Sequence, residues 1–129
     1  MAVSKTSLSA GEIIRAMLAD DVEVAARTKK IFPVVEDSAE LPYIVYRRTQ
    51  LEQDPTKAGR GADTIGIEIL CYTASYTEGV ELAEAVRDVL DNKQGETDGL
   101  KMRSCYLTDS EEAWQDDAYV QQLVFKIKI

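Results

Sequence analysis

The side chains best suited to chemistry in this chain are carboxylates, and their densest group is Asp109, Glu111, Glu112, Asp116 and Asp117. Five acids packed this closely could hold a hard cation through oxygen ligands. Their order lacks the EF-hand spacing and its central glycine, so the run reads first as a solvated acidic surface or hairpin; charge runs stay hydrated unless something pairs them. No histidine is present, which removes Ser-His and Cys-His pairs and the commonest metal ligand. Cys71 and Cys105 are too few for a disulfide framework and lack zinc-site spacing. Both are expected to be reduced thiols, as in a cytosol-like compartment. The isoleucines around Cys71 mark it as a small core residue rather than a nucleophile.

The basic candidates are equally spare. Gly59, Arg60 and Gly61 are not followed by Lys-Ser or Lys-Thr, nor by a helix start, so they do not form a phosphate loop. They read either as glycines that let a long loop bend or, with Lys57 and Arg60, as polar contacts to a partner. Arg47 and Arg48 are adjacent in a strand pattern and must point to opposite faces, which puts one of them near the open side of a sheet. Trp114, set between acidic pairs, reads either as a loop anchor folded onto the core or as an exposed contact. No metal or cofactor is expected.

These residues need a scaffold, and 129 residues suffice for one domain with one core. A net charge of −8 argues against a general binder of DNA or anionic membranes. The charge is uneven. Residues 1–63 carry nine basic and ten acidic side chains, a net of −1; residues 64–129 carry six and thirteen, a net of −7. One part of the surface should therefore be strongly acidic. The N-terminal stretch has no uninterrupted apolar core before Glu12 and Arg15, and no segment approaches the ~18 apolar residues of a membrane helix.

Residues 1–8 read as a flexible polar arm. Ser9 and Glu12 fit a capping box, and Ile13, Ile14, Met17 and Leu18 form one helical stripe that fades near Asp20, with a short helical turn to follow before IFP. Residues 42–51 (PYIVYRRTQL) and 64–72 (TIGIEILCY) read as strands. Between them, Gln53 to Asp63 is long for a connection inside a compact domain, and loops of that size are functional or mobile. Ile65, Ile67, Ile69 and Cys71 share one face of the second strand, the core face. Ser75 and Glu78 form a second capping box and start the main helix, whose apolar positions are Leu82, Ala83, Val86, Val89 and Leu90. Burying four of these large side chains stabilises by on the order of 6–12 kcal/mol before entropy, so this helix must lie on the sheet. Asn92 to Gly99 turns the chain back, LKMRSCYLT (100–108) is a less regular strand, DSEEAWQDDA (109–118) a separating segment, and YVQQLVFKIKI the closing strand. The expectation is a single α+β domain over 1–129, a mostly antiparallel sheet of four to five strands with two helices packed on one face.

Several phrases resemble a family of small tail-completion proteins of long-tailed bacteriophages and prophages, which includes the tail terminators. The matching pieces are IFP (31–33), LPYIVY (41–46), the long loop, IEILCYTASYTEGVELAEAVRDVL (67–90), the acidic pair Asp116 and Asp117, and the closing LVFKIKI. The central piece, Y-x-x-S-Y-x-E running into L-A-E-A-V-R, is the most specific. The resemblance implies an α+β protomer that assembles into a homo-oligomeric ring, commonly of six, that caps the tail tube and joins it to a neck or connector protein. It implies no enzyme activity, no cofactor, no sequence-specific nucleic-acid binding and no membrane. It places the chain in the virion tail, and in the bacterial host cytoplasm during assembly. Arg47, Arg48, Lys57, Gly59, Arg60 and Gly61 would then serve subunit or tube contacts. Asp109, Glu111, Glu112, Asp116 and Asp117 would line an acidic lumen or surface that repels passing DNA phosphates. Competing readings are a head-completion or neck protein, a small dimeric ligand-binding regulatory domain, and an enzyme using carboxylates alone, such as a metal-dependent hydrolase.

Overall fold

A computed structural model describes residues 5–34, 38–53 and 63–129. Three helices, α1 (Ala10–Asp20), α2 (Val22–Arg27) and α3 (Tyr76–Leu90), accompany seven strands. These are β1 (Ile31–Pro33), β2 (Tyr43–Gln53), β3 (Asp63–Thr73), β4 (Gly95–Thr97), β5 (Leu100–Met102), β6 (Ser104–Gln115) and β7 (Ala118–Lys128). The main sheet has the order β1-β2-β3-β7-β6, and β4 and β5 form a separate small hairpin. The fold is α+β, but the sheet is mixed rather than mostly antiparallel. β1 runs parallel to β2, in the register Ile31–Ile44 to Pro33–Tyr46, while the other three pairings are antiparallel. A two-residue hairpin would have made β1 antiparallel to β2; nine residues, 34–42, separate the two strands instead.

Alternation along β3 sets the layers. Ile65, Ile67, Ile69, Cys71 and Thr73 are buried, and the intervening residues are half-buried. With Ile44 of β2 and Leu123, Phe125 and Ile127 of β7 they make the sheet's half of the core. Ile13, Ile14 and Leu18 of α1, Val24 of α2 and Leu82, Val86 and Leu90 of α3 supply the other half, so the helices cover one face only. α2 is the short helical turn expected before IFP. Ser75 caps α3 as its spacing predicts, its Oγ accepting from the Glu78 N–H at 3.3 Å.

Three local expectations need correction. Ser9 makes no side-chain cap of α1; Thr6 instead caps a 3-10 turn over Ser7–Ser9, its side chain accepting from the Leu8 N–H. Of the N-terminal arm, residues 1–4 lie outside the described residues, Ser7 is buried, Leu8 is exposed and Lys5 is bonded to Glu12 at 2.8 Å. The segment 100–108 is not one strand, because β5 ends at Met102, pairs with β4, and β6 begins at Ser104. Third, 109–118 is not a separating loop. β6 continues through it to Gln115, and a two-residue turn at Asp116 and Asp117, both in the left-handed region (φ 50° and 61°), leads into β7. Two left-handed residues are what a type I′ hairpin turn requires.

Candidate functional site

The sheet face away from the helices is the first candidate. Its rows can be followed across the registers. Tyr43, Tyr72, Val120 and Ala113 form one row, Val45, Leu70, Gln122 and Glu111 the next, and Arg47, Glu68, Val124 and Asp109 a third. The rings of Tyr43 and Tyr72 stack with centroids 4.7 Å apart, and Phe32 meets Tyr43 edge-on at 6.1 Å. Beside them Leu70, Tyr72, Ala113, Val120 and Gln122 line a shallow depression of about 170 Å³. This face is too small and open to enclose a substrate, which argues for contact with another surface rather than capture of a small ligand.

Arg47 and Arg48 do point to opposite faces. On the open face Arg47 pairs with Glu68 at 3.2 Å, and Glu68 also accepts from the Gln122 side-chain amide at 2.7 Å. Arg48 lies on the helix side and donates to the main-chain oxygen of Leu8 at 2.9 Å, tying β2 to the N-terminal turn. Lys57, Gly59, Arg60 and Gly61 fall outside the described residues. The ladder of β2 with β3 closes at Gln53–Asp63, so the long connection emerges from that end of the sheet.

The acidic run forms the other edge. Asp109, Glu111, Glu112, Asp116 and Asp117 are all exposed, the first three on β6 and the last two in its turn. Among the described residues no group of three or more His, Cys, Asp or Glu side chains converges as a metal site. Glu112 is instead held by its neighbours, accepting from Tyr76 Oη at 2.5 Å and from the Gln121 side-chain amide at 2.8 Å. The Gln121 bond, then the Tyr76 bond, hold its carboxyl below the ordinary value, and the bond to the Glu112 carboxylate raises the Tyr76 phenol. Trp114 is not folded onto the core: it is 58% exposed and edge-on to Tyr119 at 4.7 Å, with Tyr76 on the far side of Tyr119 at 6.1 Å. The sequence reading missed this aromatic trio. Its signal was the Asp-Asp pair, since a two-residue turn there sets Trp114 opposite Tyr119.

The remaining acids of the C-terminal half do not join this group. Glu81, Glu84 and Asp88 stand on the exposed side of α3, in the helix layer, with Glu23 of α2 nearby. The acidic surface is therefore divided between the helix layer and the β6 edge.

Neither thiol is poised for chemistry. Cys71 and Cys105 are buried, and burial pushes both up to about 12. Neither should react with a thiol reagent at neutral pH in the native protein, whereas both should react once the chain is unfolded. Rapid labelling of the folded chain in a stopped assay would contradict this placement.

Asp91, at the C-terminus of α3, accepts the Leu107 N–H at 2.9 Å and the Arg87 Nε at 3.2 Å, fastening the helix to β6. The Leu107 bond, then Arg87, hold its carboxyl below the ordinary 3.8. A carboxyl lowered by folding stabilises the native state above its unfolded value and loses that contribution as pH falls through the folded one. Asp91→Asn should therefore cost on the order of 1 kcal/mol near neutral pH and flatten the fall of stability below about pH 4. Urea titrations at several pH values check both; an unchanged acid limb would refute the assignment.

The described residues form an α+β module with a mixed sheet, helices on one face, an exposed arginine strand and an acidic edge. Comparison with known proteins agrees. The chain is similar in fold to one from the virion of a native gene transfer agent particle, with TM-score 0.81 and 17% identity over 95% of this chain and 98% of that one. A second solved chain is more distant, with TM-score 0.51 and 11% identity over 92% and 96%. No curated protein matches. The chain belongs to the family described as tail completion protein gp17, whose model matches residues 12–129. It is a structural protein of a phage-type tail, and not an enzyme.

Proposed function

We propose that this protein is a tail terminator. Copies of the chain form a ring, commonly of six, that seats on the finished tail tube, stops its growth and presents a surface to the neck or connector. The observation that carries this reading is the tail-completion family match over residues 12–129. The fold shared with a chain of a gene transfer agent virion is consistent with a place in the particle. The connection between Gln53 and Asp63 supports subunit or tube contact, because a segment too long for its job inside one domain gains a purpose if a neighbour orders it. Lys57 and Arg60 lie within it and Arg47 and Arg48 on the strand leading to it. Either acidic surface could keep DNA phosphates from adhering to a ring through which the genome passes.

The decisive experiment is to delete the gene in the producing phage, prophage or particle system and image what is made. Terminator function predicts tubes of uncontrolled length without heads, restored to normal by the chain supplied in trans. Tails of ordinary length lacking only heads would move the protein to a neck station. Intact particles would remove it from completion altogether.

A further inference from the structure

The main sheet has two unlike edges. β6, at one side, is paired only with β7 among the described strands and carries Asp109, Glu111 and Glu112, followed by Asp116 and Asp117. β1, at the other side, is only three residues long and is preceded by exposed Lys29 and Lys30. It covers β2 only as far as Tyr46, which leaves the strand from Arg47 onward without an outer partner among the described strands. Arg27 nearby is already paired with Glu23 at 3.1 Å, but no described carboxylate lies within ion-pair distance of Lys29 or Lys30. The Lys30 ammonium donates to the main-chain oxygen of Glu40 at 3.0 Å.

The registers fix which residues of the two edges stand at the same height. Ile31 pairs with Ile44, Ile44 with Cys71, Cys71 with Gln121, and Gln121 with Glu112. Arg47, Glu68, Val124 and Asp109 form a second such row. A second copy set beside the first without axial slip therefore brings its Asp109 level with Arg47, and its Glu112–Trp114 stretch level with Lys29–Ile31. Pairing of like edges is disfavoured, since it would set five carboxylates against five, or lysines against lysines. Only unlike edges are complementary.

We infer that copies of this chain join edge to edge, the acidic β6 hairpin of one protomer docking on the basic β1–β2 edge of the next, with Trp114 as the anchor that becomes buried. An aromatic face among carboxylates is suited to a lysine, through charge pairing and cation–π contact together. A head-to-tail contact of this kind closes into a ring when its rotation closes, and for that closure the inference rests on the terminator reading above. It assigns the hairpin carboxylates to the subunit contact and leaves those of α3 for the lumen.

Native mass spectrometry with sedimentation velocity on the full chain tests this. Two variants reverse one edge each, Lys29→Glu with Lys30→Glu, and Glu111→Lys with Glu112→Lys, the acids nearest in register to the two lysines. Each alone is expected to raise the concentration needed for assembly about tenfold or more. An equimolar mixture is expected to restore it, because each interface then again joins opposite charges. Zero-length carbodiimide coupling of wild-type protein adds a readout that needs no variant. The two edges are four strand spacings apart in one chain, about 19 Å, so any link from Lys29 or Lys30 to the hairpin carboxylates is between copies. Rings in which the reversed variants assemble undiminished, or in which no such link forms, overturn the edge contact and leave the ring reading standing. Wild-type protein that never assembles, alone or on tail tubes, overturns the ring reading and the contact with it. Emission of Trp114, the chain's single tryptophan, should shift to the blue on assembly; an unchanged spectrum in assembled rings removes it as the anchor.

Discussion

Phe125→Ala is expected to destabilise the protein by about 3–5 kcal/mol, a large part of the roughly 5–15 kcal/mol that holds a domain of this size together. Phe125 is fully buried on β7, with Ile67 of β3 and Leu107 of β6 beside it in register and the helix layer above. It is the largest of the fully buried side chains among the described residues, so truncation removes transfer energy and leaves a cavity that a three-strand lattice cannot close by a small shift. Urea denaturation should show a lower midpoint with an unchanged slope. Val124→Ala, half-buried on the opposite face of the same strand, should cost about 1 kcal/mol or less. Equal losses from the two variants would mean that the core is not where this description puts it.

Gly79→Val should cost about 1–3 kcal/mol through overpacking. Gly79 lies in the first turns of α3 against β3 and β7, and a Cβ there would sit 2.9 Å from Thr73 Oγ1 and 3.5 Å from Gln121 Cγ. Thr73 cannot easily yield, since it is fully buried and its hydroxyl donates to the Ser75 carbonyl at 2.8 Å. The clash therefore outweighs the few tenths of a kcal/mol by which valine exceeds glycine in helix propensity. Thermal or urea unfolding of the variant measures it. A valine as stable as the parent would show that α3 can ride away from β3 without penalty.

The parts legible in the sequence were those in which one local rule decides the outcome. Alternation over 64–73 placed Ile65, Ile67, Ile69 and Cys71 on the core face, and the Ser75–Glu78 spacing located the start of α3. Period two likewise put Arg47 and Arg48 on opposite faces. Their partners, Glu68 and the Leu8 carbonyl, come from distant segments and left no local trace. β6 was illegible for a physical reason. Beyond Leu107 it is an edge strand exposed on both faces, so no apolar alternation is imposed on it. Its carboxylates are what edge strands carry to discourage unwanted pairing. The same polarity that hid the strand made the acidic surface easy to see, though not its division between β6 and α3. The weight of Lys29 and Lys30 emerged only when the short β1 was found at the far edge of the sheet.

The single parallel pairing also fixes the sense of any seam between copies. Along the sheet β2, β3, β7 and β6 alternate in direction, so β6 points opposite to β2. Because β1 points with β2, it too opposes β6, and two protomers standing side by side in the same orientation would meet with antiparallel strands. Had β1 folded back as a hairpin, the junction would have been parallel. The one departure from alternation thus lets a chain of identical protomers carry the up-down order onward from each subunit to the next.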